Sequence, residues 1–182
     1  MLKEVILENE RRREIYDFLV SNPGFHMREL QRRLKLPLTS LEYHLDYMVR
    51  KNILTRDKKG RFTRFYAKIL DKKDEEIISI LRQRKLREIV LLMIAKEKST
   101  CHDLQEIMNI PSSTLSYYLK QLTDHGLVFR ERSGHENFYK VEDERIERVL
   151  TAYRSSFLDK LVDRVLFTFV ETQFRKNKKT QR

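Results

Sequence analysis

At 182 residues, 40% of them apolar, the chain has room for two small packed units and an extra element, but not for two average domains. Four glycines and three prolines argue against a many-turned sheet protein and point to a mainly α fold. The net charge of +11 and a pI near 9.8 place polyanions, nucleic acid foremost, ahead of other partners.

The first residues lack the apolar stretch of a secretion signal, and the longest unbroken apolar run, Ile89 to Ala95, is far too short for a bilayer. Cys101 stands alone, so an intrachain disulfide is excluded and a reducing compartment is expected. The expectation is a cytoplasmic protein with no membrane partner.

The chain matches itself at an offset of 74 residues. Arg13-Glu14-Ile15 falls on Arg87-Glu88-Ile89, Leu30 on Leu104, Leu36-Pro37 on Ile110-Pro111, Tyr43 on Tyr117 and Gly60 on Gly134. Dropping one residue from the second copy then brings Phe65-Tyr66 onto Phe138-Tyr139. Two copies of one supersecondary unit are expected.

In copy one, residues 1–70, a first helix carries Ile15, Phe18 and Leu19 at helical spacing and breaks at Ser21 to Gly24. A short second helix opens with His26 and Glu29 in the places of a capping box and runs to Leu34. After the turn Lys35-Leu36-Pro37, a third helix turns Leu41, Leu45 and Met48 inward and Thr39, Glu42, Tyr43 and Asp46 outward. A hairpin with Gly60 at its tip closes the unit, giving three helices and a two-stranded wing. The candidate DNA-binding residues are Thr39, Ser40, Tyr43, Arg50, Lys58, Lys59, Arg61 and Arg64. Arg28, Arg32, Arg33, Lys35 and Lys51 extend the basic rim. With two carboxylates outward, copy one either meets the DNA backbone through that rim or has turned its third helix to a protein; Glu42 could accept from a cytosine amino group.

Residues 71–83 read as a helical connector packing beside copy two. Copy two, residues 84–141, repeats the plan, with Thr100 and Asp103 at the cap and Leu115, Leu119 and Leu122 inward on the third helix. Its outward face and hairpin offer Ser112, Ser113, Ser116, Tyr117, Lys120, Arg130, Arg132 and His135 as candidate DNA contacts. Residues 142–174, free of Gly and Pro, read as one long helix. Its stripe Leu150, Tyr153, Phe157, Leu161, Val165 and Phe169 suits homodimerisation, with folding back or docking another protein as the alternatives. Residues 175–182 form a basic tail.

Ser112 to Leu122 followed by His125-Gly126-Leu127-Val128 resembles the recognition helix and wing entry of the broad ArsR/MarR-type winged-helix regulators. Asn22 to Leu30 with Ser40 to Leu45 resembles a version common in archaeal tandem winged-helix regulators. The resemblance covers roughly residues 10 to 140. It implies two tandem winged helix-turn-helix domains plus a long C-terminal helix, mainly α with small β-wings, and double-stranded DNA as partner. The cysteine-rich signature of metal-sensing relatives is missing here, Cys101 and His102 are adjacent, and no metal or cofactor is expected. Cys101 and His26 read as structural. No phosphate loop or nucleophile elbow supports an enzyme. The function expected is a sequence-specific transcription regulator, with a non-specific architectural DNA-binding protein or a winged-helix scaffold as alternatives and any small-molecule effector left open.

Overall fold

In the computed structural model, which describes residues 2–58, 62–96 and 98–157, the elements recur at the interval read from the sequence. The first set is α1 (Leu2–Leu7), α2 (Glu10–Ser21), β1 (Phe25–His26), α3 (Met27–Leu34), α4 (Leu38–Arg50), β2 (Leu54–Asp57), β3 (Arg64–Ala67) and α5 (Lys72–Leu81). The second is α6 (Arg84–Lys96), β4 (Ser99–Thr100), α7 (Cys101–Met108), α8 (Ser112–Asp124), β5 (Phe129–Ser133), β6 (Glu136–Lys140), α9 (Glu144–Ala152) and α10 (Arg154–Phe157). They fall into two units, Met1–Arg82 and Gln83–Arg182.

The same local signals start and stop each helix-turn-helix. His26 accepts from the Glu29 amide while the Glu29 carboxylate accepts from the His26 amide, and Thr100 with Asp103 repeats this reciprocal cap. Both second helices end on a left-handed residue, Lys35 at φ 54° and Asn109 at φ 48°. Pro37 and Pro111, each at φ −58° with extended ψ, then launch the third helices without a side-chain cap.

The core of the first unit gathers Ile6, Ile15, Leu19, Leu30, Leu41, Leu45 and Met48, all buried. At about 1.5–3 kcal/mol per buried side chain, these positions hold the three helices together. In the second unit Leu104, Leu115, Leu119 and Leu122 do the same, joined by α6, which is buried along most of its length.

The sheets correct the expected two-stranded wings. A two-residue strand before the second helix makes each sheet three-stranded, in the orders β1-β3-β2 and β4-β6-β5. Their registers also overturn the one-residue deletion. Phe65 pairs with Phe25 and Arg56, while Tyr139 pairs with Ser99 and Arg130, so Tyr139 occupies the place of Phe65 and the offset of 74 holds through the wing. Phe138 corresponds to Arg64, not to Phe65. Because side chains alternate across a strand, the one-residue slip puts the buried ring on the wrong face.

The connector also differs from expectation: its contacts anchor it on the first unit. Asp71 caps α5, and Thr55 Oγ1 donates to the buried Glu75 carboxylate at 2.5 Å. Arg82 follows the helix, lies 4.2 Å over the Phe25 ring and donates through Nε and Nη2 to the Pro23 carbonyl at 2.9 and 2.7 Å. Gly24, at φ +78°, lets the chain pass under α5: a Cβ there would lie 2.9 Å from Ile78 Cγ2.

The single helix expected over 142–174 is interrupted. Asp143 caps α9 and Tyr153, at φ −112° and ψ 24°, ends it before α10 begins at Arg154. Leu150 and Phe157, expected on a dimer seam, are instead buried within the chain's own fold, with the buried Arg87 guanidinium 5.6 Å from the Phe157 ring centre. Tyr153 is half-buried. Leu161, Val165 and Phe169 lie outside the described residues, as do Lys59 and Arg61. No helix among the described residues is long and apolar enough to cross a membrane.

Candidate nucleic-acid interface

Helix α8 is amphipathic in the way its sequence requires. Leu115, Leu119 and Leu122 enter the core, which leaves Ser112, Ser113, Ser116, Tyr117 and Lys120 exposed on the opposite side. Tyr117 is 58% exposed and its hydroxyl accepts from Gln121 at 2.7 Å, which fixes the ring along the helix. Lys120 is held to Asp124 one turn later at 2.6 Å, both side chains largely in solvent, so this pair is worth little and is easily exchanged for a phosphate.

The β5–β6 hairpin beside this helix sorts its charges by face. Arg130 and Arg132, two apart on β5, project to one side and both are exposed, as is His135 in the turn. Glu131 points the other way and is held between Lys98 at 3.3 Å and Lys140 at 3.4 Å, cations that keep its carboxyl below the usual range. The wing thus spends its one outer-strand carboxylate on neighbouring lysines and leaves its arginines free of it. Burial pushes the Tyr139 hydroxyl up, the Cys101 thiol beside it adds to the shift, and Arg130 opposes it. Cys101 is a free, half-buried cysteine.

The first unit presents the same scaffold with different chemistry. Thr39 and Tyr43 are exposed on α4, Ser40 is half-buried, Arg50 is exposed at the helix end and Lys58 is exposed just after β2. Arg64 is half-buried, and its Nη1 donates to the Gly24 carbonyl at 2.7 Å, which ties it to the loop before α3. Arg56 was missed by the sequence reading. It is exposed on β2 and pairs with Asp46 of α4 at 3.0 Å, tying wing to helix and cancelling one of the two outward carboxylates. Its counterpart at the repeat offset is Arg130, which was singled out, so the repeat itself carried the signal.

His26 serves the α3 cap and stacks on Phe62 with ring centres 4.6 Å apart. Burial lowers its pKa, Glu29 opposes that, and Arg64, Arg32 and Arg28 add to the lowering, so the ring stays neutral and able to accept at the cap. His44 is likewise lowered, by burial first and then by Arg12 and Arg11. Among the described residues no three His, Cys, Asp or Glu side chains gather in a way that would hold a metal ion.

Three helices, a second helix and third helix joined by a tight turn, and a β-hairpin beside the third define a winged helix-turn-helix unit, here present twice. Residues 9–78 match a family described as an N-terminal HTH domain. Residues 75–171, more than half of the chain, match the family described as methanogenesis regulatory protein FilR1, N-terminal domain, and the chain belongs to that family of transcription regulators, which are not enzymes. The two matches meet within α5, between the repeats. The chain is 26% identical over 141 residues to an uncharacterized HTH-type transcriptional regulator, MJ1398, of Methanocaldococcus jannaschii, covering 78% of this chain and 36% of that protein. It is 31% identical over 85 residues to the arsenical resistance operon repressor of Bacillus subtilis, covering 47% of this chain and 80% of the repressor. Among solved structures, the transcriptional repressor PagR of Bacillus anthracis is similar at 21% identity and a TM-score of 0.40, covering 44% of this chain and 91% of that one.

Proposed function

We propose that this chain regulates transcription by binding duplex DNA as a homodimer, with the second unit reading base edges and the first holding the backbone. The observation that carries the reading is the exposed row Ser112, Ser113, Ser116, Tyr117 and Lys120 on α8 beside the outward Arg130, Arg132 and His135 of its wing. Short hydroxyls approach base edges and phosphates without steric cost, and arginines beside the helix neutralise the adjacent backbone. In the first unit, Thr39, Ser40, Tyr43, Arg50 and Lys58 with the basic residues of α3 form the backbone-facing rim. Dimerisation rests on the sequence row Leu161, Val165 and Phe169, because Leu150 and Phe157 are already covered within the chain.

Selection from a pool of random duplexes tests the reading. An enriched motif is expected, and Ser116→Ala or Tyr117→Ala should weaken binding at it by about 1–3 kcal/mol while barely changing binding to random DNA. Broad binding without a motif, or no binding, refutes sequence-specific regulation. A monomer by light scattering at tens of micromolar, on the free protein and on its complex, refutes the dimer.

A further inference from the structure

The two third helices differ at few outward positions, and one of the differing residues has no ion-pair or hydrogen-bond partner among the described residues. At the repeat offset Thr39 faces Ser113, Tyr43 faces Tyr117, Glu42 faces Ser116 and Asp46 faces Lys120. Asp46 is accounted for by the 3.0 Å pair with Arg56. Glu42 is exposed, makes no ion pair or hydrogen bond among the described residues, and lies on the same face between Thr39 and Asp46. It is the fifth residue of α4, in the part of such a helix that meets base edges when the helix lies in the major groove. It lines a cavity of about 490 Å³ together with Arg28, Arg56 and Phe62.

A carboxylate that shares its cavity with Arg28 and Arg56 is out of place for backbone binding, because every phosphate repels it. On nucleic acid it suits a hydrogen-bond donor. The major groove offers two, the amino groups of cytosine and adenine. Adenine sets the N7 acceptor beside its amino group, and that lone pair repels a carboxylate. Cytosine carries the donor without an acceptor of its own next to it.

We infer that Glu42 is a specificity-determining residue, selecting cytosine at one position of the sequence read by the first unit by accepting a hydrogen bond from its N4 amino group. This rests on the DNA-reading function proposed above and adds base selection by the first unit. The recognition code of the first unit is therefore acidic where that of the second is hydroxylic, and the two units read different sequences.

The test is selection from random duplexes with the full-length chain, its Glu42→Gln and Glu42→Ser forms, and Ser116→Ala for comparison. Both Glu42 changes are on the surface and polar, and circular dichroism confirms equal folding. The original chain should select cytosine at a position that Ser116→Ala leaves untouched, with a preference of roughly 5- to 150-fold. Glu42→Gln should move that preference to adenine, whose N6 and N7 a carboxamide bonds together, and Glu42→Ser should flatten it. A motif that is enriched and identical in all Glu42 forms overturns this inference and leaves the DNA-binding reading standing. A uniform rise in affinity on every sequence when Glu42 is neutralised, with no change of motif, also overturns it. No motif with the original chain overturns both.

Discussion

Replacing Gly24 by alanine should destabilise the first unit selectively, and the magnitude follows from two separate costs. Gly24 sits at φ +78°, where an L-residue with a Cβ loses about 1–2 kcal/mol. The added methyl would also lie 2.9 Å from Ile78 Cγ2 on α5 and 3.1 Å from Tyr66 Cε1, both in the packed interior. Forcing an extra carbon into such a site costs about a further 1–3 kcal/mol. The sum, roughly 2–5 kcal/mol, corresponds to faster exchange of deeply protected first-unit amides by about 30- to several-thousand-fold. Gly126→Ala provides the control: at φ +69° with nothing within 4 Å, it carries the backbone cost alone. Native-state hydrogen exchange read at Leu45 and Leu119 compares them. The reasoning about close approach fails if Gly24→Ala accelerates Leu45 no more than Gly126→Ala accelerates Leu119.

DNA affinity should fall steeply with salt, log K against log[salt] having a slope of about −0.9 for each phosphate neutralised; a flat dependence between low and physiological salt would rule out backbone neutralisation. Burial pushes the Tyr66 hydroxyl up to about 12, above the ordinary 10 of an unfolded tyrosine. Its contribution is therefore intact below pH 10 and is lost as pH rises through 12, about 2–3 kcal/mol in all, and Tyr66→Phe should remove that part of the alkaline loss in urea titrations. Thr100→Ala breaks a cap in which the hydroxyl accepts from the Asp103 amide at 3.1 Å and donates to its carboxylate at 2.7 Å. A cost of about 1 kcal/mol is expected, visible as faster exchange in the second unit and not in the first.

The helices were legible because each is fixed by short-range chemistry: the caps at His26 and Thr100, the left-handed stops at Lys35 and Asn109, and apolar residues at helical spacing. The two-residue strands β1 and β4 were not, since two residues carry no alternation to read. In the wing, the repeated Phe-Tyr pair drew the alignment one residue out of register, and only the pairing of Phe65 with Phe25 and of Tyr139 with Ser99 restores it. The end of α9 has no Gly or Pro to announce it. It falls where Thr151, Tyr153, Ser155 and Ser156 lower helix propensity, and Ser156 and Phe157 beyond it are buried. Composition likewise could not show that Arg64 donates to the Gly24 carbonyl, because that contact is made with a neighbour 40 residues away.

Lys35 sits in a left-handed conformation that asparagine, which stands at the equivalent position 109, adopts more cheaply. The first unit therefore keeps a reserve of unused thermal stability. Lys35→Asn or Lys35→Gly should relax the turn, raise the melting temperature of that unit, and at the same time erase one positive charge from the approach to α4. Heat resistance and positive charge are therefore opposed at this turn: relaxing the backbone at Lys35 removes a cation two residues before the N-cap of α4.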